Sequence, residues 1–214
     1  MASPDVWAWV HCALPGVRPG HSPHTTYDTF AYDELPPAPA NLDDKLHWLA
    51  QSPAAYDPIG NTSRIDELRN LAGTTFDRLP VGCVLLAERA DLQQRVGSPT
   101  GCWMTFGDQA EILAGGDELV RIISDQQDCE HWYVRLKPDG NHDVVCGYFP
   151  YCTDRTDWTD DDAEAYAGEE RLVICAASFT EFVWRFALEA RVWRVLAHGL
   201  APTPDEEAYI SHYR

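Results

Sequence analysis

The sequence predicts an α+β fold: an antiparallel meander with flanking helices, closed by a long buried helix and a short terminal one. Three observations carry this: helical periodicity from residue 62 to about 96, short strand-like runs between residues 102 and 149, and a strong apolar stripe that starts at Phe179. Helices, then strands, then helices segregate along the chain as an α+β order requires.

Residues 1–60 hold nine of the fifteen prolines and no long periodic segment, so residues 1–62 read as a proline-rich, partly helical accessory segment and residues 63–214 as the α+β domain. A short helix is expected over 42–49, with Leu42, Leu46 and Leu49 on one side after Asn41. Ser63 is placed to cap a helix carrying Ile65, Leu68 and Leu71, which Gly73 ends. Leu79 and Pro80 open a second helical segment to about Val96, stopped by Gly97, Ser98 and Pro99. The expected strands are 102–106, 119–124, 131–137 and 143–149. In the third, Trp132, Val134 and Leu136 alternate with Tyr133, Arg135 and Lys137, which predicts one buried and one wetter face. Pro138, Asp139, Gly140 and Asn141 between the last two runs signal a hairpin, because proline presets φ and glycine accepts positive φ.

A last strand is expected over 172–176. Ser178 and Glu181 then form a capping-box pattern for the strongest helix, in which Phe179, Phe182, Val183, Phe186, Ala190 and Trp193 make a stripe widened by Leu188, Val192 and Leu196. The Glu181–Arg185 pair is expected on its exposed side. Gly199 closes it, and Thr203, Pro204, Asp205 and Glu206 start a terminal helix with a cap, a proline at the first position and acids at the positive dipole end.

The chain has 214 residues, 45% hydrophobic and 23% charged, which are globular values, and no apolar run reaches the roughly 20 residues of a spanning helix. Its net charge of −18 repels phosphate backbones, so nucleic-acid binding and attachment to anionic membrane are disfavoured and a basic partner is favoured. Seven cysteines without a CxxC pair, and a start lacking a basic region before its short apolar stretch, point to free thiols in a reducing cytoplasm.

Several pieces, in order, resemble the SUKH superfamily, nearest its Smi/Knr-type branch as it occurs in bacteria. They are the helix start at Leu79 and Pro80; Leu92, Gln93 and Gln94 leading to Pro99, Thr100, Gly101 and Cys102; the stretch from Leu119 to Asp125, Gln126 and Gln127; and Trp132 and Tyr133 followed by Pro138, Asp139 and Gly140. The ending adds Cys175, Phe179 and Phe182, then Glu189, Trp193, Glu206, Tyr209 and Tyr213. The resemblance covers about residues 76–214. It implies an α+β binding protein with no catalytic residues: most often an immunity protein that neutralises a polymorphic toxin, alternatively an intracellular scaffold with several partners.

Chemistry-bearing motifs are few. Cys129, His131, His142 and Cys146 flank the predicted hairpin and could be weighed as a zinc set, but their spacing matches no standard finger, and a buried thiol pair with surface histidines is the simpler reading. No nucleophile elbow, dinucleotide-binding or P-loop pattern occurs, and the acids fit no calcium loop. No catalytic residue, metal or cofactor is expected. Asp125, Gln126 and Gln127 read either as backbone-bonding turn residues or as the lining of a partner groove. Residues 151–170 carry eight acids against one base, Arg155. There Asp154, Asp157, Trp158, Asp160, Asp161, Asp162 and Glu164 form the candidate partner site, an aromatic anchor inside an acidic rim suited to a basic toxin domain. The alternative is a solvated loop whose tryptophan folds back onto the body.

Overall fold

The computed structural model describes residues 6–21, 25–161 and 171–214. Strand β1 (Ala8–His11) pairs antiparallel with β2 (Asp28–Ala31). Four helices follow: α1 (His47–Ala50), α2 (Ile65–Ala72), α3 (Val81–Glu88) and α4 (Ala90–Gln93). The main sheet comprises β3 (Trp103–Met104), β4 (Glu111–Ile112), β5 (Glu118–Ser124), β6 (His131–Leu136), β7 (His142–Gly147) and β8 (Val173–Ala176). Its order is β3-β5-β6-β7-β8, all antiparallel, with β4 also on β5. Helices α5 (Phe179–His198) and α6 (Pro204–Ser211) close the chain. This is the expected α+β arrangement of an antiparallel sheet with flanking helices, including the long C-terminal one.

The helix-covered face of the sheet carries the main core. Trp132, Val134, Val144, Cys146 and Cys175 from the strands meet Phe179, Phe182, Val183 and Phe186 of α5. In β5 the register shifts between Arg121 and Ile123, so Ile122 and Ile123 both pack into this core although they are consecutive.

The segment expected as an accessory lead-in belongs to the same core: Trp9, Leu46, Leu49 and Ile59 are buried in it. Its first strand runs beside β8, with the Ile174 N–H donating to the Val6 carbonyl at 2.7 Å. All four residues of β1 are buried, which removes the alternation that would mark a strand in the sequence. Helix α1 is shorter than expected because Leu46 takes a left-handed φ of 57°. The expected single helix to Val96 is two. Arg89 is extended and forks onto the Asp91 carboxylate, while the Gln93 side-chain amide donates to the Leu86 and Ala87 carbonyls that end α3.

A buried charge cluster ties both ends of the chain to α5. Glu189 has no solvent exposure. Arg18 donates to its two carboxylate oxygens at 2.6 and 2.7 Å, Trp9 Nε1 donates at 2.8 Å, and the Tyr209 hydroxyl donates as well. Burial alone would push the Glu189 carboxyl up, but Arg18, together with His11 and the Tyr209 hydroxyl, more than reverses this and holds it below the usual range. His11 lies 3.2 Å from the same carboxylate, yet burial lowers its pKa to about 4, so it faces Glu189 as a neutral ring.

Arg185 corrects an expectation. It is 2% exposed, not on a wet face, and donates to the Pro36 carbonyl at 3.0 Å and to Glu181 at 3.4 Å. Ser178 caps α5 by accepting from the Glu181 N–H, but the Glu181 carboxylate accepts from Tyr32 and Arg185 instead of reaching back. The full capping box is at α6, between Thr203 and Glu206.

Candidate protein-binding surface

The second face of the sheet was expected to be wetter, yet Tyr133 is fully buried and Arg135 is 9% exposed. Two loops cover it. Phe149, Tyr151, Cys152 and the half-buried Leu113 and Trp158 pack on Leu119, Tyr133, Val145 and Ile174. Arg135 is satisfied there by a bidentate pair with Asp143 at 2.8 and 2.7 Å, so its burial leaves no bare charge.

The covering loops, residues 105–117 and 148–161, are knit through Cys152. Its carbonyl accepts from the Asp108 and Gln109 N–H groups at 2.7 and 3.2 Å, and its own N–H donates to Glu111 at 2.9 Å. Gly107 permits this approach: a Cβ there would lie 2.5 Å from the Cys152 carbonyl oxygen, and its φ is 72°. From beneath, Arg121 donates to the Tyr151 carbonyl and to the Thr153 hydroxyl, and the Tyr133 hydroxyl donates to the Phe149 carbonyl at 2.9 Å. A buried arginine on β5 and a tyrosine on β6 thus hold the loop from the sheet.

This frame displays the acids. Asp154, Asp157, Asp160 and Asp161 are exposed. Asp154 donates its N–H to Asp108 at 3.0 Å, and its own carboxylate accepts from the Thr156 N–H, a bond that holds its pKa below the ordinary value. Asp108, also exposed, extends the rim from the other loop. Arg155, the single base of this stretch, pairs with Glu111 at 2.7 Å and lies over the Phe149 and Trp158 rings at 5.1 and 5.8 Å. Trp158 is half-buried, its ring 6.0 Å from that of Phe149, so it folds back onto the body. Two residues of the candidate site, Asp162 and Glu164, lie outside the described residues.

The structure thus brings together Asp154, Asp157, Trp158, Asp160 and Asp161, and adds three residues that sequence reasoning missed: Asp108, Glu111 and Arg121.

The other candidates are placed apart. Asp125 is buried and its carboxylate accepts from the Cys129 and Glu130 N–H groups at 2.6 and 3.2 Å, shaping the β5–β6 turn, while Gln126 and Gln127 are exposed. His131 stands opposite Gly147 and His142 opposite Leu136, at opposite ends of the β6–β7 ladder, so the four weighed zinc donors do not converge. His142 Nε2 accepts from the first N–H of α5, and His131 Nδ1 bonds the Ser124 hydroxyl. Among the described residues no group of three or more His, Cys, Asp or Glu is arranged to hold a metal ion, and no helix is long and apolar enough to cross a membrane.

Comparison with family models, with curated proteins and with solved structures finds no match.

Proposed function

We propose that this chain is a non-enzymatic binding protein, an immunity protein of the SUKH type that neutralises a cognate toxin by covering it. One observation carries the reading: exposed Asp108, Asp154, Asp157, Asp160 and Asp161 share with the half-buried Trp158 a loop pair held from beneath by Arg121. Arg155, the one base of residues 151–170, is paired with Glu111. A fixed acidic face of this kind would stand in for a phosphate backbone and occlude the basic cleft of a nuclease, gaining association rate from opposite charge. The alternative, a scaffold with several partners, would recruit them through an accessible proline-rich lead-in. That support is weaker with Pro36 buried and its carbonyl held by Arg185.

The test is capture of the tagged protein's partners at low and high salt, followed by association kinetics of the purified partner. The expectation is one dominant basic partner. Its association should fall steeply with salt and slow by about tenfold or more in the triple variant Asp157→Asn, Asp160→Asn, Asp161→Asn at low salt. A salt-insensitive association rate, or a triple variant that binds as fast as the parent, would overturn the acidic-face mechanism.

A further inference from the structure

On another part of the surface, residues 53–57, the turn at 97–99 and the last two turns of α5 enclose a groove of about 380 Å³, within the range of small-molecule sites. Small residues keep it open. A Cβ added at Gly97 would come within 3.0 Å of the Ala55 Cβ and 3.5 Å of the Ala190 Cβ, so the chain passes between these walls with no side chain. Tyr56 is 70% exposed and Leu200 46% exposed, and both line the same groove. One exposed apolar side chain is ordinary; two sharing a concavity with Trp193 and Pro99 form a surface that gains by being covered.

The polar lining specifies what covers it. The Arg194 guanidinium lies 4.8 Å from the Tyr56 ring centroid and has no carboxylate partner among the described residues. Elsewhere on the surface Arg69, Arg78, Arg89 and Arg214 each hold a carboxylate. Arg191 also lines the groove: its Nε donates to Glu206 at 3.3 Å, but its Nη1 has no acceptor. Glu206 serves two donors at once, because its other oxygen accepts from the Thr203 N–H at 2.8 Å to start α6. Burial accordingly lowers the Arg191 pKa by more than Glu206 restores. Asp57 is the other acid in the lining. It is solvent-exposed and forms no ion pair with either arginine, and its carbonyl accepts from the Ser98 N–H. His198 completes the charged and titratable lining.

We infer that this groove binds a small apolar molecule carrying a single carboxylate, with the carboxylate against the Arg194 guanidinium and the apolar body against Leu200 and Tyr56. An acid supplies the carboxylate partner that the exposed Arg194 guanidinium lacks, and a bidentate arginine–carboxylate contact is the strong form of that bond. The site is separate from the acidic face and does not depend on its function.

Net charge makes the test discriminating. At −18 the protein as a whole attracts amines and repels acids, so preference for an acid arises only from a local cationic site. The isotope-labelled full chain is titrated by NMR with phenylpropionate, phenylpropanol and phenylpropylamine, which share one apolar body. Saturable shifts are expected at the Gly97 and Ser98 amides and the Trp193 indole, with phenylpropionate bound about tenfold tighter than the alcohol and the amine weakest. Arg194→Gln should abolish the acid preference while leaving the alcohol within about twofold, and Leu200→Ser should weaken all three. Absence of saturable shifts at these positions at millimolar probe, an amine bound as tightly as the acid, or an acid preference that survives Arg194→Gln would overturn the proposal.

Discussion

The two faces of the central sheet are closed by different means. One is covered by α5, whose Phe179, Phe182 and Phe186 interdigitate with the strands and whose Glu189 gathers Trp9, Arg18 and Tyr209 into a buried cluster in which both carboxylate oxygens are paired. The other is covered by loops that bury a smaller cluster and depend on hydrogen bonds from Arg121 and Tyr133 for their shape. A helix satisfies its own backbone and can be buried wholesale. A loop must leave backbone and polar side chains in contact with water, so the same covering layer that seals Tyr133 also displays the aspartates. The stable face and the presenting face are thus two sides of one sheet, and β6 serves both.

The sharpest way to break this comparison is in the charge cluster. Arg18→Met removes the cation but leaves the Glu189 carboxylate buried, which should cost about 3–5 kcal/mol by urea unfolding. A loss below about 1 kcal/mol would mean that the cluster does not anchor the helical face. On the loop face, Phe149→Ala should cost less, about 2–3 kcal/mol, because a surface loop collapses into part of the space. It should also reduce amide-exchange protection in residues 148–158 before the strands are affected.

Acidification tests both faces at once. His11 and His131 have folded pKa values lowered by burial, to about 4 and about 3, so each resists a proton that the unfolded chain accepts below about 6.5. Their stability is present above that pH and is lost as pH falls toward the folded values. Glu130 works the other way. Burial raises its pKa to about 7, so it stabilises as pH falls toward the ordinary carboxylate range. His142, whose pKa burial also lowers, acts in the same direction, and His11 and His131 against Glu130 alone leave a net loss on the order of 2 kcal/mol from pH 7 to pH 5. Denaturation midpoints should show the slope flattened by His131→Asn and steepened by Glu130→Gln; a slope of opposite sign would contradict this assignment. The smallest stability effect is expected from the triple aspartate variant, within about 0.5 kcal/mol, which would separate presentation from stability on the loop face.

The meander, the β6–β7 turn, α5 and its Gly199 stop, and α6 were all legible, because each carries its own period or cap. What escaped the sequence was tertiary. The strand at Ala8–His11 is buried on both sides and pairs with a strand after a proline-bearing connection, so neither alternation nor a tight turn marks it. Arg89 breaks a helix through a fork to Asp91 that propensity does not foresee. Arg185 was assigned to water by its i,i+4 partner, while its position under Pro36 depends on a segment that local pattern left irregular. In the candidate site the acidic run was visible as composition. Its frame was not, because Gly107, Glu111 and Arg121 reach it from more than one strand away.

The Glu189 cluster also sets a timetable for folding in the cell. Arg18 and its carboxylate partner are separated by 171 positions, and Trp9 by 180. At roughly 5–20 residues per second, a ribosome that has released Arg18 needs on the order of ten to thirty seconds to deliver Glu189. During that interval the first strand has neither its ion pair nor β8 beside it. Completion of the native core therefore waits until α5 has been made, and until then the aromatic N-terminal hairpin lacks the strand and the carboxylate that bury it.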